Sequence, residues 1–136
     1  MCCFAALLLC CFVLPACTSG PGDHGSHPLY PTHLAQAETL DIQVTRDATR
    51  ITLTNTTARS FGASRLWLNG AYGRDLEPLE IGETVTLDLS EFVDENGEPF
   101  KAGGFFAAER PDTLVLAQLE VEGRLLGLVV VQGEPG

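Results

Sequence analysis

Cysteine is missing from most of this chain: all five lie between Cys2 and Cys17, and 119 residues come after the last. The bulk of the protein therefore has no thiol nucleophile, no CxxC pair and no internal disulfide. Histidine stops at His33, which removes every histidine-dependent acid–base or nucleophilic mechanism from the residues beyond it. Lysine occurs once, at Lys101, and the net charge is −10. So acidic a chain lacks the cationic footprint that nucleic acid requires, and it is unsuited to lying flat on anionic lipid. Gly103-Gly104 is followed by apolar residues and not by the Lys-Ser/Thr of a phosphate loop. No repeat of 20–50 residues is visible.

Charge is absent from Cys2 to Ala16, an almost wholly apolar run. As a helix these residues would span roughly 22 Å, short of the ~30 Å hydrocarbon core. A secretory leader needs only about 7–15 apolar residues and fits better than a membrane span, although no Lys or Arg precedes the run. Pro15 breaks a helix near its end and leaves the next bonds extended, as a peptidase requires.

Leu14-Pro15-Ala16-Cys17 resembles the lipobox of bacterial lipoproteins, with small Ala16 directly before the cysteine. The resemblance implies cleavage between Ala16 and Cys17, a diacylglyceryl thioether on the Cys17 thiol, and acylation (typically palmitate) of the freed amino group. It also implies a place in the bacterial cell envelope, held to a membrane and facing the periplasm or exterior. Cys2, Cys3, Cys10 and Cys11 then read as apolar filler of a discarded peptide. A simple secretory cut and a retained palmitoylated N-terminus are the alternatives. One acyl chain binds marginally and two or three bind stably, at about 0.8 kcal/mol per buried methylene.

Residues 17–37 are rich in Gly, Pro and Ser without apolar period, and read as a flexible tether between the leader (1–16) and a domain at 38–133. A three-residue tail, 134–136, closes the chain. His24, His27 and His33 fall in the tether, with Asp23 beside them. Their spacing matches no rigid ligand frame, and ordering them has an entropic cost. Solvated linker polarity is the expectation, and no metal or cofactor is predicted.

The domain alternates with period two. Leu40, Ile42 and Val44 turn through Arg46–Thr49 into Ile51 and Leu53. Leu66 and Leu68 flank Trp67 and end at the turn pair Asn69-Gly70. Tyr72–Leu76 returns. Val85, Leu87 and Leu89 alternate with Thr84, Thr86 and Asp88. Val115, Ala117, Leu119 and Val121 share a face, and Leu125–Val131 is apolar on both faces, as in a central strand. Gly127 within it hints at a bulge or a close neighbour. One helical turn is expected after Ser90 as its cap, and another at Phe105–Arg110, stopped by Pro111. The prediction is all-β: a single antiparallel β-sandwich of about seven strands, with a small β-barrel as the alternative. The order loosely resembles an immunoglobulin or fibronectin type III sandwich, with its one tryptophan on an early central strand, but without the immunoglobulin cysteine pair.

Few constellations carry chemistry. Asp94, Asn96 and Glu98 could offer oxygens to calcium, but they fall short of the EF-hand pattern in length and spacing, and a polar loop around Asn96-Gly97 is the expectation. Paired carboxylates for hydrolysis are conceivable, yet about 100 residues leave little room for a cleft. Trp67, Tyr72, Phe105 and Phe106 are the aromatics that could meet a ligand, with Arg65, Arg74 and Arg110 near them in sequence, but most are expected in the core, where an all-β domain with few aromatics needs them. Phe105 and Phe106, after a glycine pair, are the candidate partner contact. The expected function is that of a non-enzymatic, lipid-anchored binding or accessory module with an envelope protein as partner. A purely structural envelope role and a small carboxylate-dependent hydrolase are the other readings.

Overall fold

Alternation of apolar and polar residues makes strands where the sequence predicts them. A computed structural model describes residues 27–132; the leader, Cys17, His24 and the tail 134–136 lie outside the described residues. The strands are β1 (Gln36–Asp47), β2 (Arg50–Thr54), β3 (Ser64–Leu68), β4 (Tyr72–Leu76), β5 (Thr84–Asp88), β6 (Ala117–Val121) and β7 (Arg124–Val131). One 3-10 turn, Leu89–Glu91, comes directly after β5. Among the described residues no helix is long and apolar enough to cross a membrane.

The strands form one sheet in the order β4-β3-β6-β7-β1-β2-β5, curled into a half-barrel. The sheet is mixed, which corrects the antiparallel expectation: β1 and β7 run parallel. The cause is the length of β1. Its twelve residues reach past the β2 hairpin and along β7, with register shifts between Gln36 and Glu38 and between Thr39 and Gln43. Such irregularities bend a strand and raise its twist, so β1 can serve two neighbours that diverge. Gly127 lies opposite Thr39, and a Cβ there would run into the Gln36 amide; the glycine is the close approach its position suggested.

Tight turns fix the registers. Val121 pairs with Arg124 across Glu122-Gly123, whose φ angles are 50° and 71°. A two-residue loop with both residues left-handed matches the twist of the strands it joins. Ile42, Val44, Ile51, Leu53 and Leu87 pack in one apolar cluster with Leu66, Leu68, Leu119, Leu126 and Leu128. Two local expectations need correction. Val115 is 65% exposed, because β6 starts only at Ala117 and the chain before it has left the sheet. The cap of the 3-10 turn is Asp88, whose carboxylate accepts from Ser90 N at 2.9 Å and Ser90 Oγ at 2.7 Å. These two bonds hold Asp88 below its ordinary 3.8.

Buried Asn55 closes the loop after β2. Its Nδ2 donates to Arg59 O (2.7 Å) and Leu79 O (3.3 Å), while Oδ1 accepts from Thr57 N and Thr57 Oγ1. A buried amide needs such partners to offset its desolvation.

Candidate functional site: the Phe105–Phe106 loop

The loop carrying Phe105 and Phe106 leaves the core at Phe100, which is buried beside Phe92. Phe100 N donates to Phe92 O at 2.8 Å, and Tyr72 meets the Phe100 ring edge-on at 5.2 Å. Burial, followed by the charges of Asp112 and Asp94, raises the Tyr72 phenol above its ordinary 10.0.

The two stems are clasped immediately beyond this core contact. Asp112 N donates to Lys101 O at 2.8 Å, and Lys101 N donates to Asp112 Oδ2 at 3.1 Å. Arg46, near the end of β1, locks the clasp. Its guanidinium donates to Asp112 O (2.6 Å), Ala102 O (2.9 Å) and Ala48 O (3.0 Å), and it lies 5.7 Å from the Phe100 ring centroid. Lys101 Nζ reaches Glu109 at 2.8 Å. That hydrogen bond, with the carboxylate charge behind it, holds Lys101 above its ordinary 10.5.

Above the clasp the chain turns on glycines. Gly103 and Gly104 have φ of 80° and 116°, a region that a side chain rarely enters. Pro111 also crowds Gly103, at 3.0 Å from where a Cβ would stand. Ala107 N donates to Gly104 O at 3.2 Å, so Phe105 and Phe106 are the two corner residues of a turn and not part of a helix. Their rings meet edge to face at 4.9 Å and 88°, and they are 95% and 93% exposed. Burial of a Phe side chain is worth about 1.5–3 kcal/mol, so the pair leaves roughly twice that unrealised in water.

The other aromatics and charges predicted as candidates lie elsewhere. Trp67 is 1% exposed, on the outer face of β3. Tyr30 covers it edge-on at 5.5 Å and Arg65 stacks 4.9 Å from its ring, while its Nε1 donates to Glu120 at 2.6 Å. Tyr30 falls within the segment the sequence reads as tether, yet its hydroxyl donates to buried Gln118 at 2.6 Å. An aromatic among Gly, Pro and Ser was the only sequence signal for this contact; nothing in the sequence marked Arg46. Arg74 pairs with Glu91 at 3.1 Å and Arg110 is exposed.

The Asp94–Glu98 segment is a turn closed on itself. Asp94 Oδ1 accepts from Asn96 N and Glu98 N, both at 2.9 Å. His27 lies against Gly97 of this turn. Among the described residues, no three His, Cys, Asp or Glu side chains converge on a point that could hold a metal ion.

A groove of about 690 Å³ runs beside the loop, between the ends of β1 and β7, and is bordered by Arg46, Asp47, Gly104, Asp112 and Val130. Asp47 and Asp112 are the two carboxylates on its wall. Asp112 is engaged through Oδ2 by Lys101 N and through its carbonyl by Arg46, so it works as the loop's clasp. Compared with known proteins, the chain matches no family, no curated protein and no solved structure.

Proposed function

We propose that this protein is a lipid-anchored lipoprotein of the bacterial cell envelope, attached through Cys17, whose β-sandwich is a non-enzymatic binding or accessory module. The sandwich reading is supported by the strand order, which divides at β1 into β4-β3-β6-β7 and β1-β2-β5. Apolar side chains of both groups belong to a single cluster, as facing layers require. A strand that passes between the two groups joins them into one continuous hydrogen-bonded sheet, which is why a small barrel is the competing description.

The observation that carries the binding reading is the tip of the 101–112 loop. Two Phe rings are held almost wholly in water on a loop whose base is fastened by Arg46, Asp112 and Lys101. A loop with no contact to make has no use for so firm a base beneath so apolar a tip. Binding residues on sandwiches concentrate on loops positioned by a rigid scaffold.

The test has two parts. Intact-mass measurement should find a mature N-terminus at Cys17 carrying diacylglyceryl and acyl mass, and the Cys17→Ser variant should lack that mass. A photoreactive phenylalanine analogue at position 106 should form a covalent adduct with a component of the envelope on irradiation in cells. An unmodified N-terminus would remove the anchor, and irradiation without any adduct would remove the contact.

A further inference from the structure

We infer that what the Phe105–Phe106 tip meets is the surface of the lipid bilayer, so that the domain stands on the membrane by its loop as well as by its anchor. The inference deepens the proposed binding role and rests on it for the lipid at Cys17.

Topology gives the first argument. β1 and β7 end, and β2, β4 and β6 begin, at one end of the sheet, since β1 and β7 are parallel and the others antiparallel to their neighbours. The loop belongs to this end: Gly104 faces Thr49 of the β1–β2 turn, and Asn69 of the β3–β4 turn accepts from Val115 N. The N-terminal segment arrives at this end too. Tyr30 packs on Gly70 of that same turn, and His27 on Gly97. Nine residues lie between Cys17 and His27, a stretch of ten Cα-to-Cα steps that reaches at most about 36 Å even if fully extended. The end of the domain that carries the Phe pair is thus within about 36 Å of the lipidated Cys17, close enough for its tip to reach the headgroups.

Area gives the second. Two Phe side chains offer roughly 300–500 Å² between them, well short of the ~800 Å² that each side of a stable protein interface buries. Beyond them the exposed apolar side chains of this loop are the small ones of Ala107, Ala108 and Pro111, with Val115 a few residues on. A bilayer demands no complementary shape, only apolar groups that sink past the headgroups.

Charge gives the third. The chain as a whole is −10, but between Lys101 and Asp112 two cations (Lys101, Arg110) balance two anions (Glu109, Asp112). The tip can therefore approach a membrane that would repel the acidic flanks of the domain.

The experiment places a reporter at the tip. The full-length protein carrying Phe105→Trp, and separately Phe106→Trp, is reconstituted into phosphatidylethanolamine/phosphatidylglycerol vesicles whose lipids are brominated in the upper acyl chain. Unsubstituted protein, with only Trp67, supplies the background. The new tryptophan should emit to the blue of a water-exposed indole and be strongly quenched by the brominated lipid, while Trp67, covered by Tyr30, is not. An unquenched, red-emitting reporter at both positions would overturn the inference. So would a reporter unquenched in pure lipid yet shielded from acrylamide in native membranes, since that outcome names a protein as the occupant. Intact mass on the same sample keeps the failures apart. Lipid mass without quenching sinks the bilayer contact alone, and absence of lipid mass sinks the anchor on which it was built.

Discussion

Tyr30–Trp67 and Phe105–Phe106 are the same kind of pair in two places. Both meet edge to face with their planes 88° apart, at 5.5 Å and 4.9 Å. Their surroundings are opposite. Trp67 is closed in by Tyr30, the stacked Arg65 guanidinium and a bond from Nε1 to Glu120. The two Phe rings have only each other. Ring geometry is thus no guide to role, because the edge-to-face preference is worth about 0.5–1.5 kcal/mol wherever it occurs. What separates a structural pair from an available one is how much of each ring still faces water and whether polar atoms nearby are already engaged. The first pair has little more to gain by contact; the second has nearly everything.

The contrast breaks most severely at Trp67. Gly73, its partner on β4, leaves the space in which the ring lies: a Cβ there would stand 2.7 Å from Trp67 Cζ3. Trp67→Ala empties that space, strands the Glu120 carboxylate and uncovers Tyr30. The expected loss is about 3–5 kcal/mol, read as a lower midpoint in chemical denaturation. A loss below about 1 kcal/mol would mean that the outer face of β3 collapses freely and that the two pairs differ less than their exposure suggests.

Tyr30→Phe sharpens the comparison at a smaller scale. It keeps the edge contact with Trp67 and removes only the hydroxyl that donates to Gln118. Gln118 is buried and its amide also bonds Gln36, so one acceptor is left partly unsatisfied. The expected cost is about 0.5–1.5 kcal/mol, measured by the same denaturation. A neutral result would show that the segment ahead of β1 is held by the ring alone.

The two pairs also differ in how legible they were. Period-two alternation located five of the strands, the Asn69-Gly70 turn pointed to β4, and Leu125–Val131 was rightly central, its continuous apolar run marking a strand flanked on both sides. Alternation says which way a side chain points, however, and not what covers it. Trp67 alternates with Leu66 and Leu68 and so points away from the cluster they join. It is buried because Tyr30 crosses from a segment whose composition reads as linker. The parallel pairing of β1 with β7 was illegible for a related reason: it depends on one strand's length and two register shifts, which the residue pattern does not record. The tip loop was half legible. Gly103-Gly104 before two Phe flagged an unusual turn, whereas the helical turn expected at 105–110 is absent, since Gly104 closes a four-residue turn with Ala107 instead. Arg46, which fastens the loop from 56 and 66 residues away, left no local trace.

Phe105→Ser with Phe106→Ser is the smallest expected change in stability and the most discriminating. Substitutions at exposed positions away from caps and strained sites fall within about 0.5 kcal/mol. The clasp below the tip uses backbone carbonyls and the side chains of Arg46, Asp112, Lys101 and Glu109, none of which the double variant touches. Only the ring–ring contact is lost, and in water its partners are mostly solvent. The denaturation midpoint should therefore match that of the unsubstituted protein, in contrast to the large shift at Trp67. A destabilisation above about 2 kcal/mol would place the Phe pair among the groups that hold the fold. The exposed pair would then be a second Trp67 whose cover had been overlooked, and the case for a contact at the tip would fall with it.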